Sequence, residues 1–213
     1  MELLLEPAGV STSRVPGVEV VLRATDDLLL DTSTVKLIGA LHRRMWSRHQ
    51  TMMQRRVLDS GTREEYLDLS AALPKIEVSK PRVVADLLNG RTWCGRLEAM
   101  SEAHNTISAM ANSPRDLGTA VIRPRDWHST EPGILVDGRP VIGAVFDVAV
   151  MLSWSVDEFR RGEIPFIFEL PLPDDVEARK LWDELMTVAQ DKLGIDRGGV
   201  RYSSHVSDIA AVA

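Results

Sequence analysis

Hydrophobic and polar positions divide the chain into a helical first half and a regular strand-and-helix second half. Residues 1–17, with Pro7, Gly9, Pro16 and Gly17, read as an irregular leader, and Val18 to Leu22 as a strand. Asp31-Thr32-Ser33 offers side-chain oxygens to orphan backbone N–H groups, the chemistry of a helix start. A long helix is predicted from Thr34 to Asp59, closed by Gly61. Ile38, Leu41, Met45, Met52 and Val57 approximate one face of it, with Arg43, Arg44, Arg48, Arg55 and Arg56 largely elsewhere. Glu64 to Leu73 suggests a short helix ending at Pro74, and Lys75 to Ser79 a strand that Pro81 breaks. Thr92 to Met110 is amphipathic through Trp93, Leu97, Met100 and Ile107, and Asn112-Ser113-Pro114 stops it.

From Thr119 the alternation becomes regular. Thr119 to Ile122 is a short apolar strand that Pro124 ends, and Arg123, Arg125, Trp127 and His128 crowd its carboxyl end. Ile134 to Ile142 carries Asp137-Gly138 between apolar runs, a strong hairpin signal because both turn residues adopt positive φ. Gly143 to Trp154 reads as a buried helix, which Val156 to Arg161 extends or follows as a second short one. Pro165 to Leu170 is a strand. Asp174-Asp175 caps a helix to Leu193 with a Leu181, Leu185, Val188, Ala189 stripe, and Gly194 suits the C′ position. Gly199 to Val206 is a further strand. Strand, helix, strand, helix, strand is the order of a parallel α/β unit. An apolar run from Ile209 to Ala213 follows, and three parallel strands with an open edge read as an unfinished fold.

Composition narrows the function classes. Of 213 residues, 44% are hydrophobic and 26% charged, as in soluble globular chains, and the formal charge of −6 disfavours a nucleic-acid partner. One cysteine, Cys94, excludes an internal disulfide and favours a reducing compartment. No secretory signal or apolar run of membrane-spanning length is evident, so a cytoplasmic location with no membrane partner is expected. The basic helix face reads as solvated.

The candidate chemistry centres on Arg123 and Arg125. Parallel α/β folds place ligand sites at the carboxyl ends of their strands. A guanidinium there suits carboxylate or carbonyl oxygens, to which its planar fork donates paired hydrogen bonds. The five histidines show no metal-ligand spacing, and His128 reads as a hydrogen-bonded structural residue. Glu98 and Glu102 read as a solvated pair and Cys94 as a small buried residue. Phosphate loops, GxSxG elbows and HExxH helices are missing.

Several collinear segments resemble the malate synthase family in its shorter bacterial and plant form. Leu41-His42-Arg43-Arg44-Met45 is similar to "LHRRF", and Pro81 to Leu87 to the "PxPxDL" approach to the barrel. Thr92-Trp93 with Asn105-Thr106-Ile107 resembles a helix running from "PTW" to "GTI". Ile122-Arg123-Pro124-Arg125-Asp126-Trp127-His128 is close to "VRPRGWH", Leu135 to Gly138 fits the family hairpin, and Phe146-Asp147 resembles "LFDF". Glu177-Ala178-Arg179 with Leu181-Trp182 resembles "EARLW", and Ala189 to Ile195 resembles "AQxxLGI", with Arg197-Gly198 in step.

The resemblance implies a partial TIM-type (β/α)₈ barrel, residues 91–213, preceded by an N-terminal helical clasp, residues 1–90. It implies the reaction of the glyoxylate cycle in which acetyl-CoA, glyoxylate and water give malate and CoA with Mg²⁺. Arg123 matches the family's active-site arginine, with Arg125 as a second substrate-binding candidate. The departures are also specific. The family's first barrel strand, ending in "DFED", is expected to be missing between Gly90 and Thr92. The Mg²⁺-binding Glu position falls on Ser207, and Asp208 could replace it only through a register slip that turns it to the opposite face. The "LPKMES" loop is altered at Leu170 to Asp175, and the general-base aspartate would lie beyond Ala213. A truncated chain with little or no activity alone is therefore expected. The alternatives are a non-catalytic module that self-associates or pairs with another chain through an open sheet edge, and CoA-dependent lyase chemistry rebuilt around Arg123, Asp208 and an unknown metal.

Overall fold

The computed structural model describes residues 10–12, 15–21, 30–59, 75–87, 93–112, 118–171 and 176–208. The expected short helix from Glu64 to Leu73, the Asp174-Asp175 cap and the run from Ile209 lie outside them.

Two four-stranded sheets share one core. The first is antiparallel, in the order β1 (Val10–Thr12), β2 (Val18–Val21), β6 (Thr130–Val136), β7 (Arg139–Ile142). Its β6–β7 turn is the expected Asp137-Gly138 hairpin, with φ of 51° and 74°. β1 falls inside the expected irregular leader, because three extended residues pair with β2 across the turn at Pro16-Gly17.

The second sheet is parallel throughout, in the order β4 (Pro81–Asp86), β5 (Thr119–Arg123), β8 (Ile167–Glu169), β9 (Tyr202–Ser203). Between its strands run α2 (Trp93–Ala111), α3 (Gly143–Trp154), α4 (Val156–Arg160) and α5 (Val176–Leu193). Ala120, Val121 and Ile122 are all buried, as expected of a parallel strand covered on both faces. The described strands form an open arc of βα units, part of a barrel and not a closed one.

Two expectations need correction here. The strand expected over Lys75 to Ser79 is present as Ile76–Val78 and ends before Pro81, but Pro81 also opens a strand: β4 begins there and pairs in parallel with β5. Proline lacks a ladder N–H, yet it is tolerated at the first residue of an edge strand. β4 is thus a parallel strand ahead of β5, while the gap expected between Gly90 and Thr92 falls outside the described residues. The strand expected from Gly199 to Val206 is split in two. The Ser203 hydroxyl donates to the His205 carbonyl at 2.9 Å and accepts the His205 N–H at 3.1 Å, a local turn that ends β9. The chain then enters β10 (Val206–Asp208), which pairs in parallel with β3 (Ile76–Val78) in a separate ribbon.

The long helix α1 (Thr32–Asp59) lies across α3 and α5. Asp31 caps it, accepting the Thr34 N–H at 2.7 Å. Ile38, Leu41 and Met45 on its apolar stripe are fully buried. Its arginines are fasteners: Arg43 pairs with Asp137 of the hairpin turn at 2.8 Å, and Arg44 and Arg48 pair with Glu184 of α5. Strand pairing and core packing run across residue 90, since β2 pairs with β6 and β4 with β5.

Candidate active site

Register alone brings three charged residues together. Asp86 lies opposite Arg123 in the β4–β5 ladder, and Ile122 lies opposite Phe168 in β5–β8, so Glu169 stands beside Arg123. All three end their strands at the carboxyl edge of the sheet. Arg123 Nε donates to Glu169 Oε2 at 2.6 Å, and its Nη1 stands 3.9 Å from Asp86 Oδ2. The second oxygen of Glu169 accepts the Val206 N–H at 3.2 Å, which ties the pair to β10. The Arg123 side chain keeps 43% of its surface exposed while that of Glu169 keeps 14%. A guanidinium has five N–H donors. Glu169 takes one here, and the exposed remainder can meet an oxyanion from solvent.

Arg125 is placed elsewhere. Two residues past Arg123 the chain turns inward, and the Arg125 side chain is 4% exposed between the fully buried Asp147 and Glu131. Its backbone N–H donates to Asp147 Oδ2 at 2.8 Å, its Nη2 to Asp147 Oδ1 at 2.7 Å, and its Nη1 to Glu131 Oε2 at 2.9 Å. The guanidinium also lies over the Phe146 ring, 5.6 Å from the centroid. Burial pushes the Asp147 carboxyl up, against the pull of Arg125, because one cation serves two carboxylates out of water. Arg125 was expected to bind substrate. Its place is the core, where it locks the β5–β6 connection to α3.

The rest of the arginine-rich stretch builds the same connection. Asp126 Oδ1 accepts the N–H groups of His128 and Ser129 at 3.1 Å, and exposed His128 stays beside it, Nδ1 to Oδ2 at 3.3 Å. Trp127 packs at a tilt against Trp182 of α5 with centroids 4.7 Å apart, and its carbonyl accepts from His49 Nε2 of α1 at 2.7 Å. His42, one turn pair earlier, accepts the Ile142 N–H at Nδ1, and burial holds its pKa down to about 4.

Ser207 and Asp208 lie on β10, opposite Glu77 and Val78 of β3. Ser207 is half-buried. Among the described residues no three His, Cys, Asp or Glu side chains gather where they could hold a metal ion. Asp86 and Glu169, the acids at the strand ends, are both directed at Arg123. A Mg²⁺ ion needs a near-octahedral oxygen shell with one or two carboxylates free to bind it, and the described donor set does not fit. Asp86 and Glu169 are the functional candidates that sequence reasoning missed. Their signal was an acid closing a short apolar strand, as in Val83-Val84-Ala85-Asp86 and Phe166-Ile167-Phe168-Glu169.

Part of the chain is similar to known proteins. Residues 119–213 match a family model described as "Malate synthase, TIM barrel domain". A glyoxysomal malate synthase of Candida tropicalis is 39% identical over 99 residues, 46% of this chain and 18% of that protein. One of Glycine max is 30% identical over 122 residues, 55% of this chain and 21% of that protein. A malate synthase of Myxococcus xanthus (strain DK1622) is 27% identical over 134 residues, 58% of this chain and 25% of that protein. The chain resembles malate synthases over about half its own length, and the match spans a quarter or less of theirs. Residues 119–213 thus resemble part of a malate synthase TIM barrel domain, and the open arc of βα units is that of a partial barrel.

Proposed function

We propose that this chain is a malate synthase-like protein whose Arg123 binds the carboxylate of glyoxylate, and that the chain by itself has weak or no synthase activity. The observation that carries the reading is the position of Arg123: an exposed guanidinium at the carboxyl end of a parallel strand, inside the segment that matches the malate synthase barrel. A planar carboxylate accepts two parallel N–H bonds from such a group. The same arginine can stabilise the oxygen charge that grows when a carbon nucleophile adds to the aldehyde.

Weak activity follows from the chemistry of the neighbours. The family reaction uses Mg²⁺ to polarise the aldehyde, a base to remove a proton from acetyl-CoA, and glyoxylate as acceptor. Around Arg123 the described carboxylates are Asp86 and Glu169, both facing the guanidinium, and Ser207 stands where the resemblance puts a Mg²⁺-binding glutamate. A hydroxyl does not replace a carboxylate for a hard divalent cation. The test is CoA release by the 213-residue chain from acetyl-CoA with glyoxylate and Mg²⁺. The expected result is no glyoxylate-dependent turnover above background, and robust turnover that Arg123→Met abolishes would overturn the inactivity while confirming the site.

The open arc supports a second reading, a non-catalytic module that pairs through a sheet edge with a second copy or another chain. Among the described residues β4 and β9 end the parallel sheet without a further strand neighbour within it, and such edges invite pairing. A monomer in sedimentation equilibrium at all concentrations would dismiss self-association. For location we read the lone cysteine as favouring the cytoplasm. No helix among the described residues is long and apolar enough to cross a membrane.

A further inference from the structure

The parallel sheet presents Arg123 to solvent and then partly satisfies it from within. We infer that Glu169 is an internal carboxylate ligand of Arg123, a built-in competitor that any small carboxylate must displace to bind. This rests on Arg123 being a carboxylate-binding residue, and it adds what controls access to it.

Three observations converge. Glu169 Oε2 sits 2.6 Å from Arg123 Nε, closer than any other carboxylate described around that guanidinium; Asp86 is at 3.9 Å. The Glu169 side chain is only 14% exposed, so it is held against the arginine and does not wave in solvent. Its other oxygen is fixed by the Val206 N–H at 3.2 Å. That N–H is available because the turn at Ser203 to His205 diverts the chain out of β9 and into the β10–β3 ribbon, where the Ile76 N–H in turn donates to the His205 carbonyl at 3.0 Å. Glu169 thus links the guanidinium on one side to the ribbon on the other.

The chemistry of the competition is direct. A carboxylate arriving from solvent offers Arg123 the same charge-assisted hydrogen bonds that Glu169 already supplies, without an entropic cost for Glu169 because it belongs to the chain. The incoming anion must also sit near two fixed negative charges, Asp86 and Glu169. Neutralising Glu169 removes the competitor and one of the two charges, leaving Asp86. In Glu169→Gln the amide oxygen can still accept the Val206 N–H, while the ionic hold on Arg123 is lost.

The experiment is a calorimetric titration of the full chain with sodium glyoxylate at constant ionic strength, using sodium chloride as the control anion. Wild type, Arg123→Met, Glu169→Gln and Glu169→Gln/Arg123→Met are compared after circular dichroism shows native helix content. The expected result is at least tenfold tighter glyoxylate binding by Glu169→Gln than by wild type, lost again in the double variant. Should the amide variant fail to fold, Glu169→Asp, with the charge kept but the reach shortened by one methylene, is expected to bind more tightly than wild type. Equal binding by wild type and Glu169→Gln, removed in each background by Arg123→Met, would overturn the competition while leaving Arg123 as the carboxylate site. Absence of any Arg123-dependent binding would overturn both readings.

Discussion

Arg123 and Arg125 are two residues apart and of identical chemistry, yet they have opposite fates. Arg123 closes a strand and keeps one side in water. Arg125 is out of water and faces two buried carboxylates. Removing one member of such a group leaves uncompensated buried charge, which costs about 3–5 kcal/mol. Arg125→Met is therefore expected to lower Tm by roughly 10 °C without any ligand present, and an unchanged melting curve would return Arg125 to the surface. The buried histidines make a second prediction. His42 is 2% exposed and its pKa is lowered to about 4 from the model-peptide 6.5. Its folded form stays neutral while the unfolded chain takes up a proton below pH 6.5. Stability thus falls as pH drops from 6.5 towards 4, by about 3 kcal/mol at most from this group, and levels off below. His49 shifts in the same direction through its burial. Urea midpoints at pH 7 and pH 5 read this directly, and His42→Gln is expected to shrink the difference; a pH-independent midpoint would refute it.

At the scale of elements, small polar groups decide where strands begin and end. Gln190 of α5 is an example that no periodicity reveals: its Oε1 accepts the N–H groups of Gly198 and Val200 at 3.0 and 3.1 Å, folding the chain back towards β9. The start of β5 depends on Gly118, which has φ of 88°. A Cβ there would collide with the backbone carbonyl oxygen of Lys80 in the β3–β4 turn, whose oxygen also accepts the Thr119 N–H at 3.2 Å. Alanine would face both the positive φ and the clash. Gly118→Ala is expected to cost about 1–3 kcal/mol, seen as a lower urea midpoint, and it should loosen β4 and β5 first in amide hydrogen exchange. A variant as stable as wild type would show that the turn relaxes freely.

For the whole molecule, the antiparallel sheet, α1 and the parallel arc share a single hydrophobic core. α1 reaches the arginine-rich connection through His49 and the hairpin through Arg43, so the helix that precedes the barrel segment also holds it in shape. Protection of α1 amides should therefore fall together with that of β5 if Arg125 is removed.

The sequence by itself determined the elements whose signals are local. The capped long helix, the Asp137-Gly138 hairpin, the apolar β5 strand and the α5 stripe are each written in contiguous residues, because caps, turns and periodicity act within a few positions. The family resemblance was likewise legible, since short ordered motifs survive without any knowledge of contacts. Pairing was not. Whether Pro81 ends a strand or begins one depends on which side of the strand faces a neighbour. Whether Gly199 to Val206 stays one strand depends on a serine hydroxyl competing with the ladder. Arg125 could be told from Arg123 only when the buried carboxylates Asp147 and Glu131, from distant elements, were brought around it. At the site, the tertiary structure alone set Glu169 against Arg123, one of the two arginines that the sequence had singled out, because register across parallel strands joins residues 46 positions apart that no local pattern connects.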